Sequence, residues 1–485
     1  MPTAAPLSTI IALARAGALD HAWGQFSAAG YDREDDDPAA LTVKGRLLKD
    51  YALRASDREE GRRFYLQSAE AYRRSAALQP GTYPLINAAT LSLLSGDRAQ
   101  AGEIAGEVLE RIAREPDEPE TPYWRAATEA EALLLLGRTE EARAALATAI
   151  AAAPRAWEDH ASTLRQFVAI HDALGADAGW LDLLRPPRSL HYAADKAAGA
   201  DPDETMTALD PDIGFGFGAL AAGAELLAAE ALLERGAELH VVLPSDPASF
   251  AARFVDPFGE SWRRRFKAAM AGAESLRFVR PLHRLPNPAA IALADRIAHG
   301  AALLNAERLM GTALQSRPDG HSGDAGLALL AIRVGGSDEG GYEGRLGEVR
   351  DALDAANGAA LAPCLSGESI LIGYADCGTA AAAARTVHAR LRARLPLQIA
   401  GHYGLIDCVR DPFSAAMRPT GSGADIVAAI AGAAPRGSIC VSDDFAALLA
   451  ASGGRPGEAS WIGEIQAFDG GSAIGLYALT TIGAS

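Results

Sequence analysis

Cysteine, long apolar runs and clustered positive charge are all scarce in this sequence of 485 residues. Its four cysteines (364, 377, 408 and 440) fall late in the chain and form no CxxC pair. This spacing excludes a disulfide framework and a zinc motif, so we expect reduced thiols in a cytoplasmic protein without a bound metal. No apolar run approaches the ~18 to 20 residues of a membrane span. The N-terminal stretch also lacks the basic region of a signal peptide.

Acidic residues outnumber basic ones by 62 to 45, which gives a net charge of −17. This balance argues against binding to nucleic acid or to an anionic membrane, because both need clustered Lys and Arg. The one basic cluster, WRRRFK at 262–267, is predicted to be a solvated helix face. A chain of this length exceeds one hydrophobic core, so we expect several domains.

Residues 1–186 are predicted to form an all-α domain of paired helices. Apolar residues recur at helical spacing in segments such as 37–55 and 122–137, and short Gly, Asp or Pro turns separate the segments. A helix pair every ~35 to 40 residues is typical of a tetratricopeptide-like (TPR-like) solenoid. The segment LLLLGRTEEARAAL, 133–146, resembles the turn within such a repeat. The resemblance implies either a surface that binds a protein partner or a scaffold that packs only on its own chain.

Residues 187–320 follow a Pro-rich joint and change periodicity. Short strand-like runs at 189–194, 212–219, 238–245 and 276–281 alternate with helices, and 288–315 is predicted to be a linking helix. This alternation predicts an α/β domain with a parallel sheet. In such sheets ligands bind at the carboxyl ends of the strands, where helix N-termini offer N–H groups to anions.

The segments GFGFGALAAGAE, 214–225, and VVLPS, 241–245, resemble the SLOG-type Rossmann-like family, which binds nucleotides or nucleotide-derived ligands. Glycines end the strand before the turn, and Tyr192 and Lys196, which follow the first strand, could contact phosphate or base. The resemblance implies a nucleotide-type ligand, while a purely structural turn is the alternative. The candidate ligand-binding residues are Tyr192, Lys196, Gly214, Gly216, Gly218, Gly223, Glu225, Glu230, Pro244 and Ser245.

Residues 321–485 read as a strand at 327–334, followed by a helix, two strands, a helix and a strand, which predicts a ferredoxin-like α+β domain. Four segments, 366–376, 402–412, 435–451 and 461–479, resemble the hairpin, the strands and the Pro-Gly turn of class III nucleotidyl cyclases. The order of the three domains is similar to that of bacterial proteins of this kind. The resemblance implies a domain that forms homodimers.

The same resemblance implies a catalytic set in which two aspartates hold metal ions. A lysine reads the base, an asparagine orients the ribose and an arginine stabilises the transferring phosphoryl group. The matching positions here are Ile332 (or Ala331) and Glu368 for the aspartates, Cys364 for the lysine, Asp425 for the asparagine and Ala429 for the arginine. Losing one such stabiliser costs about 10²- to 10³-fold in rate. We therefore expect a degenerate pseudo-cyclase with no catalytic residues of its own, and Mg²⁺ only if the domain is active.

Three functions are consistent with these segments. The first is a non-catalytic nucleotide-ligand sensor or signalling scaffold. The second is a nucleotide- or NAD-processing enzyme that cleaves an N-glycosidic bond with Glu225 or Glu230. The third is an adenylate or guanylate cyclase with an unorthodox or partner-completed site.

Overall fold

The computed structural model describes residues 5–114, 121–193, 212–279, 287–315, 326–335, 341–356, 358–411, 416–455, 457–466 and 473–480. These residues fall into two compact units that meet in sequence at Pro186 and Pro187. We call the first the helical unit and the second the sheet unit. No helix of the described ranges combines the length and the apolar character that a membrane crossing requires.

The helical unit consists of antiparallel helices joined by short turns. Asp37 begins one of them by accepting hydrogen bonds from the backbone N–H groups of Ala39 and Ala40, and Pro38 occupies the first helical position. Gly96 and Gly137 end others in the left-handed conformation that glycine adopts without strain. The helices are α1 (Leu7–Arg15), α2 (Leu19–Ala28), α3 (Pro38–Arg54), α4 (Arg58–Leu78), α5 (Thr82–Ser95), α6 (Arg98–Arg114), α7 (Pro122–Leu135), α8 (Thr139–Ala152) and α9 (Trp157–Leu174).

Consecutive helices pack in pairs, as helical repeats do. Helix α3 packs on α4, α4 on α5, α5 on α6 and α7 on α8. Gly45 allows the close approach of α3 and α4, because a Cβ at this position would lie 2.7 Å from the Tyr72 ring. Helix α9 contacts α5 and α7. A polar chain links these helices, since Glu131 of α7 accepts hydrogen bonds from Thr90 of α5 and Gln166 of α9.

The sheet unit begins with five parallel strands in the order β4-β3-β2-β1-β5. One face of this parallel sheet packs through Leu239, Val241 and Leu243 against helices α10 to α12. The other face packs against α13, where Asn305 donates a hydrogen bond to Ser189. The elements are β1 (Arg188–His191), β2 (Ile213–Gly218), α10 (Ala224–Glu234), β3 (Glu238–Leu243), α11 (Pro247–Phe254), α12 (Glu260–Gly272), β4 (Ser275–Phe278), α13 (Pro288–Arg308) and β5 (Ala313–Gln315).

The sequence predicts one linking helix over 288–315, but the structure divides this segment into a helix and a short strand. Helix α13 ends at Arg308, Met310 takes a left-handed conformation with φ 59°, and Ala313–Gln315 forms β5. Strand β5 pairs with β1, more than a hundred residues earlier in the chain. This distant hydrogen bonding overrides the local helix preference. Helix α13 therefore covers the parallel sheet instead of only connecting two domains.

A second, seven-stranded mixed sheet follows, in the order β13-β14-β12-β9-β6-β8-β7. A separate hairpin pairs β10 with β11. Helix α16 packs through Ile426, Val427 and Ile430 on Leu329 and Ala331 of the central strand β6. The elements are β6 (Leu327–Val334), α14 (Tyr342–Ala356), β7 (Ala359–Ser366), β8 (Ser369–Tyr374), α15 (Cys377–Leu391), β9 (Leu397–Gly404), β10 (Asp407–Arg410), β11 (Met417–Thr420), α16 (Ser422–Ala433), β12 (Ser438–Ser442), α17 (Asp443–Ala451), β13 (Ala459–Ile465) and β14 (Ile474–Leu479).

The two sheets are joined by the packing of α13 on α17. The two helices approach closely at Gly300, because a Cβ there would lie 1.8 Å from the backbone oxygen of Ala447. Only a residue without a side chain allows the two helices to cross at this distance.

Candidate functional sites

The carboxyl edge of the parallel sheet collects most of the candidate ligand-binding residues. The glycines of β2 lie on one face of the strand, and their missing side chains are replaced by neighbouring groups. A Cβ on Gly214 would lie 2.5 Å from Pro187, and one on Gly218 would lie 2.5 Å from the backbone oxygen of Tyr192. A Cβ on Gly216 would lie 2.4 Å from Leu232. These three glycines thus make room for the protein's own packing.

Tyr192 is buried against Gly218 just beyond the end of β1. Burial, with a smaller effect of nearby Glu225, raises the pKa of its hydroxyl well above the ordinary value. That hydroxyl is shielded from solvent and has no hydrogen-bond partner among the described residues. Lys196 lies outside the described residues.

The two candidate carboxylates are engaged within the fold. Glu225, in the first turn of α10, accepts a hydrogen bond of 2.8 Å from the backbone N–H of Ala221. Glu230 forms a two-pronged ion pair with Arg265 of α12, and the shortest N–O distance is 2.6 Å. Glu225 therefore orders the turn before α10, and Glu230 links α10 to α12.

The remaining candidates of this edge shape two turns. Gly223 precedes α10 with φ 111°, and a Cβ there would meet no atom within 4 Å. Pro244 and Ser245 follow β3, and Ser245 is fully buried. The next residue, Asp246, accepts a hydrogen bond from the backbone N–H of Ser249 and so begins α11.

The structure brings three further polar side chains to this edge that sequence reasoning missed. His191, the last residue of β1, is 3% exposed, and its Nε2 lies 3.1 Å from a carboxylate oxygen of Asp295 on α13. The ring of His299 stacks on His191 with centroids 5.3 Å apart. Nδ1 of His191 is buried and has no hydrogen-bond partner among the described residues. The sequence signal was a histidine at the end of a strand, but its partner lies 104 residues away.

His191 and Asp295 together form a pair that can move a proton. A carboxylate that accepts from one ring nitrogen fixes the tautomer and leaves the other nitrogen as a base. The pair lies at the carboxyl end of β1. Strand β1 has β2 on one side and β5 on the other, so the order of the strands changes direction here. In open parallel sheets this is the position at which ligands bind.

In the mixed sheet, the position predicted for the first metal-binding aspartate is apolar and buried. Ile332 lies in β6 between Ile370 and Ile399 and is 0% exposed. Its neighbour Ala331 packs under α16 and is also fully buried. Neither position offers an oxygen ligand to a metal ion.

Glu368, at the position predicted for the second aspartate, pairs with a cation of its own chain. It lies in the turn between β7 and β8 and forms an ion pair with Arg333 of β6. The Arg333 guanidinium also approaches α16, where a Cβ on Gly432 would lie 3.4 Å from its Nη1. Glu368 is 80% exposed, so its contact with Arg333 is a surface ion pair.

The three remaining positions of the predicted catalytic set carry no side chain suited to a triphosphate. Cys364, on β7, is half-buried, and burial raises the pKa of its thiol despite the opposing effect of Arg418. Asp425 and Ala429 both lie on α16; Asp425 is exposed and adds negative charge. In the described ranges no three His, Cys, Asp or Glu side chains come together as a metal site.

Comparison with known proteins gives one family match and a set of structural neighbours. The family described as "Tetratricopeptide Repeats-Sensor" matches residues 7–92, which comprise α1 to most of α5. None of the curated proteins matches the chain.

The structural neighbours are adenylate and guanylate cyclases that cover about a third of the chain. An adenylate cyclase from Trypanosoma brucei has 11% identity and a TM-score of 0.27, over 33% of this chain and 89% of that chain. The adenylyl cyclase CyaB from P. aeruginosa has 14% identity and a TM-score of 0.26, over 32% and 93%. An adenylate/guanylate cyclase/hydrolase from Silicibacter pomeroyi has 15% identity and a TM-score of 0.27, over 32% and 95%. The chain thus combines helical repeats with sheet-containing domains that have cyclases among their structural neighbours.

Proposed function

We propose that this protein is a non-catalytic signalling protein that senses a nucleotide-type ligand and carries a pseudo-cyclase domain. The ligand would bind at the carboxyl edge of the parallel sheet, in a SLOG-type arrangement. The helical unit would contact a protein partner. The mixed-sheet domain would transmit the signal through contacts rather than through a product.

The buried isoleucine at position 332 carries this proposal. Two-metal catalysis needs carboxylates that hold both ions while the substrate reacts. Here one of the two positions is the buried Ile332, and the carboxylate of the other already has a guanidinium partner. The groups of the catalytic set act together in stabilising the transition state. Because several of them are absent, we expect no useful turnover.

A cyclase assay tests the absence of catalysis. The purified full-length protein is incubated with ATP or GTP and Mg²⁺ or Mn²⁺, and cyclic nucleotide is measured by mass spectrometry. We expect no product above that of heat-denatured protein, and the same result for Arg333→Ala, because freeing Glu368 does not supply the carboxylate missing at Ile332. Clear formation of a cyclic nucleotide by the wild-type protein would overturn the proposal.

Binding of a nucleotide-type ligand is tested on the protein as purified. Small molecules released by denaturation are identified by mass spectrometry. We expect a nucleotide-derived compound at a stoichiometric amount, and its loss in Gly223→Val, which places a branched side chain beside the open turn before α10. Gly437→Val, another glycine with positive φ and no atom within 4 Å of a Cβ, controls for backbone strain.

Homodimer formation through the mixed-sheet domain is part of the proposal. Leu365 of β7 and Val409 of β10 are large apolar side chains that are 52% and 51% exposed. Contact between two such surfaces would remove apolar area from water. Light scattering after size exclusion should show a dimer for the wild-type protein and a monomer for Leu365→Asp. A wild-type monomer at micromolar concentration would contradict this part.

An enzyme of the parallel-sheet edge is the second candidate, and the His191–Asp295 pair favours it. Glu225 and Glu230 are held by Ala221 and Arg265, so a base for the hydrolysis of an N-glycosidic bond would be His191 instead. Incubation with NAD and nucleotides would then release the free nucleobase or nicotinamide. His191→Gln would abolish that release, while Glu230→Gln would retain it. If no base is released from any of these compounds, this candidate fails and the sensor remains.

A further inference from the structure

The helical unit contains a cavity of about 850 Å³ between α2, α3 and α4. This volume falls within the range of sites that enclose small molecules, roughly 300–1,000 Å³. The cavity lies within the repeat segment that begins the chain and shares no residue with the two sheets. Its walls combine aromatic rings with carboxylates, and that combination indicates the chemistry of an occupant.

Three aromatic side chains of the wall hold one another in place. Tyr51 stacks on Phe64 with a centroid distance of 5.4 Å and an interplanar angle of 24°. Trp23 meets Tyr51 edge-on, with a centroid distance of 6.0 Å and an angle of 84°. Tyr51 also donates a hydrogen bond of 3.1 Å to Asp20. These contacts restrain the three rings, so an occupant would meet them without a further loss of side-chain entropy.

The charged side chains of the wall are three carboxylates and two cations. Asp32, Asp35 and Glu70 line the cavity, and none of the three forms an ion pair within the described residues. The two cations of the wall are directed to backbone carbonyls. Lys44 donates to the carbonyl of Asp32 over 2.8 Å, and Arg74 donates through Nε to that of Asp35 over 3.1 Å. Lys44 and Arg74 thus line the same cavity as the carboxylates, but neither forms a direct ion pair with one of them within the described residues.

We propose that this cavity binds a small organic cation, an ammonium group carried on an apolar body. Aromatic faces attract an ammonium group through their quadrupoles, with Trp the strongest and Tyr and Phe weaker. The apolar body would lie on the rings, and Glu70 and Asp35, which are exposed at the rim, would balance the charge. A neutral molecule of the same shape would make the apolar contact with the rings but would lack the electrostatic attraction to the rings and the carboxylates.

Calorimetric titration of the full-length protein tests this site with choline as the probe. Dimethylbutanol, in which carbon replaces the charged nitrogen, is the matched neutral ligand, and AMP is the anionic one. We expect choline to bind and both other ligands to bind at least about tenfold more weakly. Phe64→Leu, which keeps the apolar volume but removes the ring, and Glu70→Gln, which removes one rim charge, should each weaken choline binding about three- to tenfold.

Glu103→Gln is the control variant, because Glu103 is exposed on α6 and does not line the cavity. It should bind choline like the wild-type protein. The proposal is overturned if choline fails to bind at millimolar concentration, or if AMP binds more tightly than choline. It is equally overturned if Phe64→Leu and Glu70→Gln, with unchanged melting temperatures, both keep wild-type affinity.

Discussion

Arg277, on β4 of the parallel sheet, forms an ion pair of 2.9 Å with Asp443, the first residue of α17. The same guanidinium reaches Asp444 at 2.5 Å, so one cation of the parallel sheet holds two carboxylates that follow β12 of the mixed sheet. Burial raises the pKa of Asp443 to about 6; Arg277 opposes this shift and Asp444 adds to it. We therefore predict that the contact between the two sheets is sensitive to pH.

Asp443→Asn should remove a pH dependence of stability. The folded-state pKa of about 6 lies above the ordinary 3.8, so the folded protein binds the proton more tightly than the unfolded chain. The stabilisation that the protonated Asp443 gives to the folded state is complete below pH 3.8 and is lost as the pH rises through 6. The melting temperature of the wild-type protein minus that of Asp443→Asn should thus fall between about pH 4 and pH 7.

Asp256→Asn controls for this measurement. A hydrogen bond from Arg263 lowers the pKa of Asp256, which is therefore ionised in both states over most of that window. The corresponding difference for Asp256→Asn should be level from about pH 5 upwards. If the Asp443→Asn difference were also level, or rose with pH, Asp443 would not have a raised pKa in the folded protein.

Gly300→Ala should destabilise the sheet unit, because the new methyl group would meet the Ala447 backbone at 1.8 Å. Backbone cannot rotate away as a side chain can, so α13 and α17 must separate at a cost of about 1–3 kcal/mol. Gly347→Ala is the matched control: Gly347 lies within α14 and has no atom within 4 Å of a Cβ. It should leave stability unchanged or raise it by up to about 1 kcal/mol. Thermal melting distinguishes the two, and equal behaviour would refute the close helix crossing.

Tyr192→Phe should keep or raise stability, by about 1 kcal/mol at most. Its buried hydroxyl has no partner among the described residues, and an unpaired buried polar group is costly to keep. Tyr123→Phe should instead lower stability, because the Tyr123 hydroxyl forms a hydrogen bond of 2.9 Å with Thr163. Melting temperatures test both variants. A lower value for Tyr192→Phe would mean that the hydroxyl is bonded within the fold.

Glu131→Ala should loosen the packing of α9 on α5 and α7. The substitution removes the carboxylate that accepts hydrogen bonds from Thr90 over 2.5 Å and from Gln166 over 3.2 Å. The two donors are left unpaired, which should cost about 1–3 kcal/mol of stability. Glu131→Gln should cost less, because its amide oxygen still accepts. Hydrogen–deuterium exchange should become faster in these three helices for Glu131→Ala. Glu103→Ala, on the exposed face of α6, should leave exchange there unchanged.

The local pattern of the sequence was sufficient for much of the architecture. Apolar spacing and the Asp-Pro start of α3 predict the helices of the first unit, and the run 327–334 predicts β6 with the bounds that the structure gives it. The segment 288–315 was harder, because the apolar residues of β5 continue the pattern of α13. Only pairing with β1 distinguishes a short buried strand from the end of a helix.

Residue identity alone shows that the side chains of the isoleucine at position 332 and of the alanine at position 429 offer no ligand to a metal ion or a phosphate, so the predicted catalytic set is incomplete. Tertiary structure decided which groups meet instead. Arg333 pairs with Glu368, His191 with Asp295 and Arg277 with Asp443, over separations of 35, 104 and 166 residues. Side-chain chemistry and periodicity are local properties that the sequence displays. Ion pairs, tautomers and cavities depend on which distant segments the fold brings within a few ångströms.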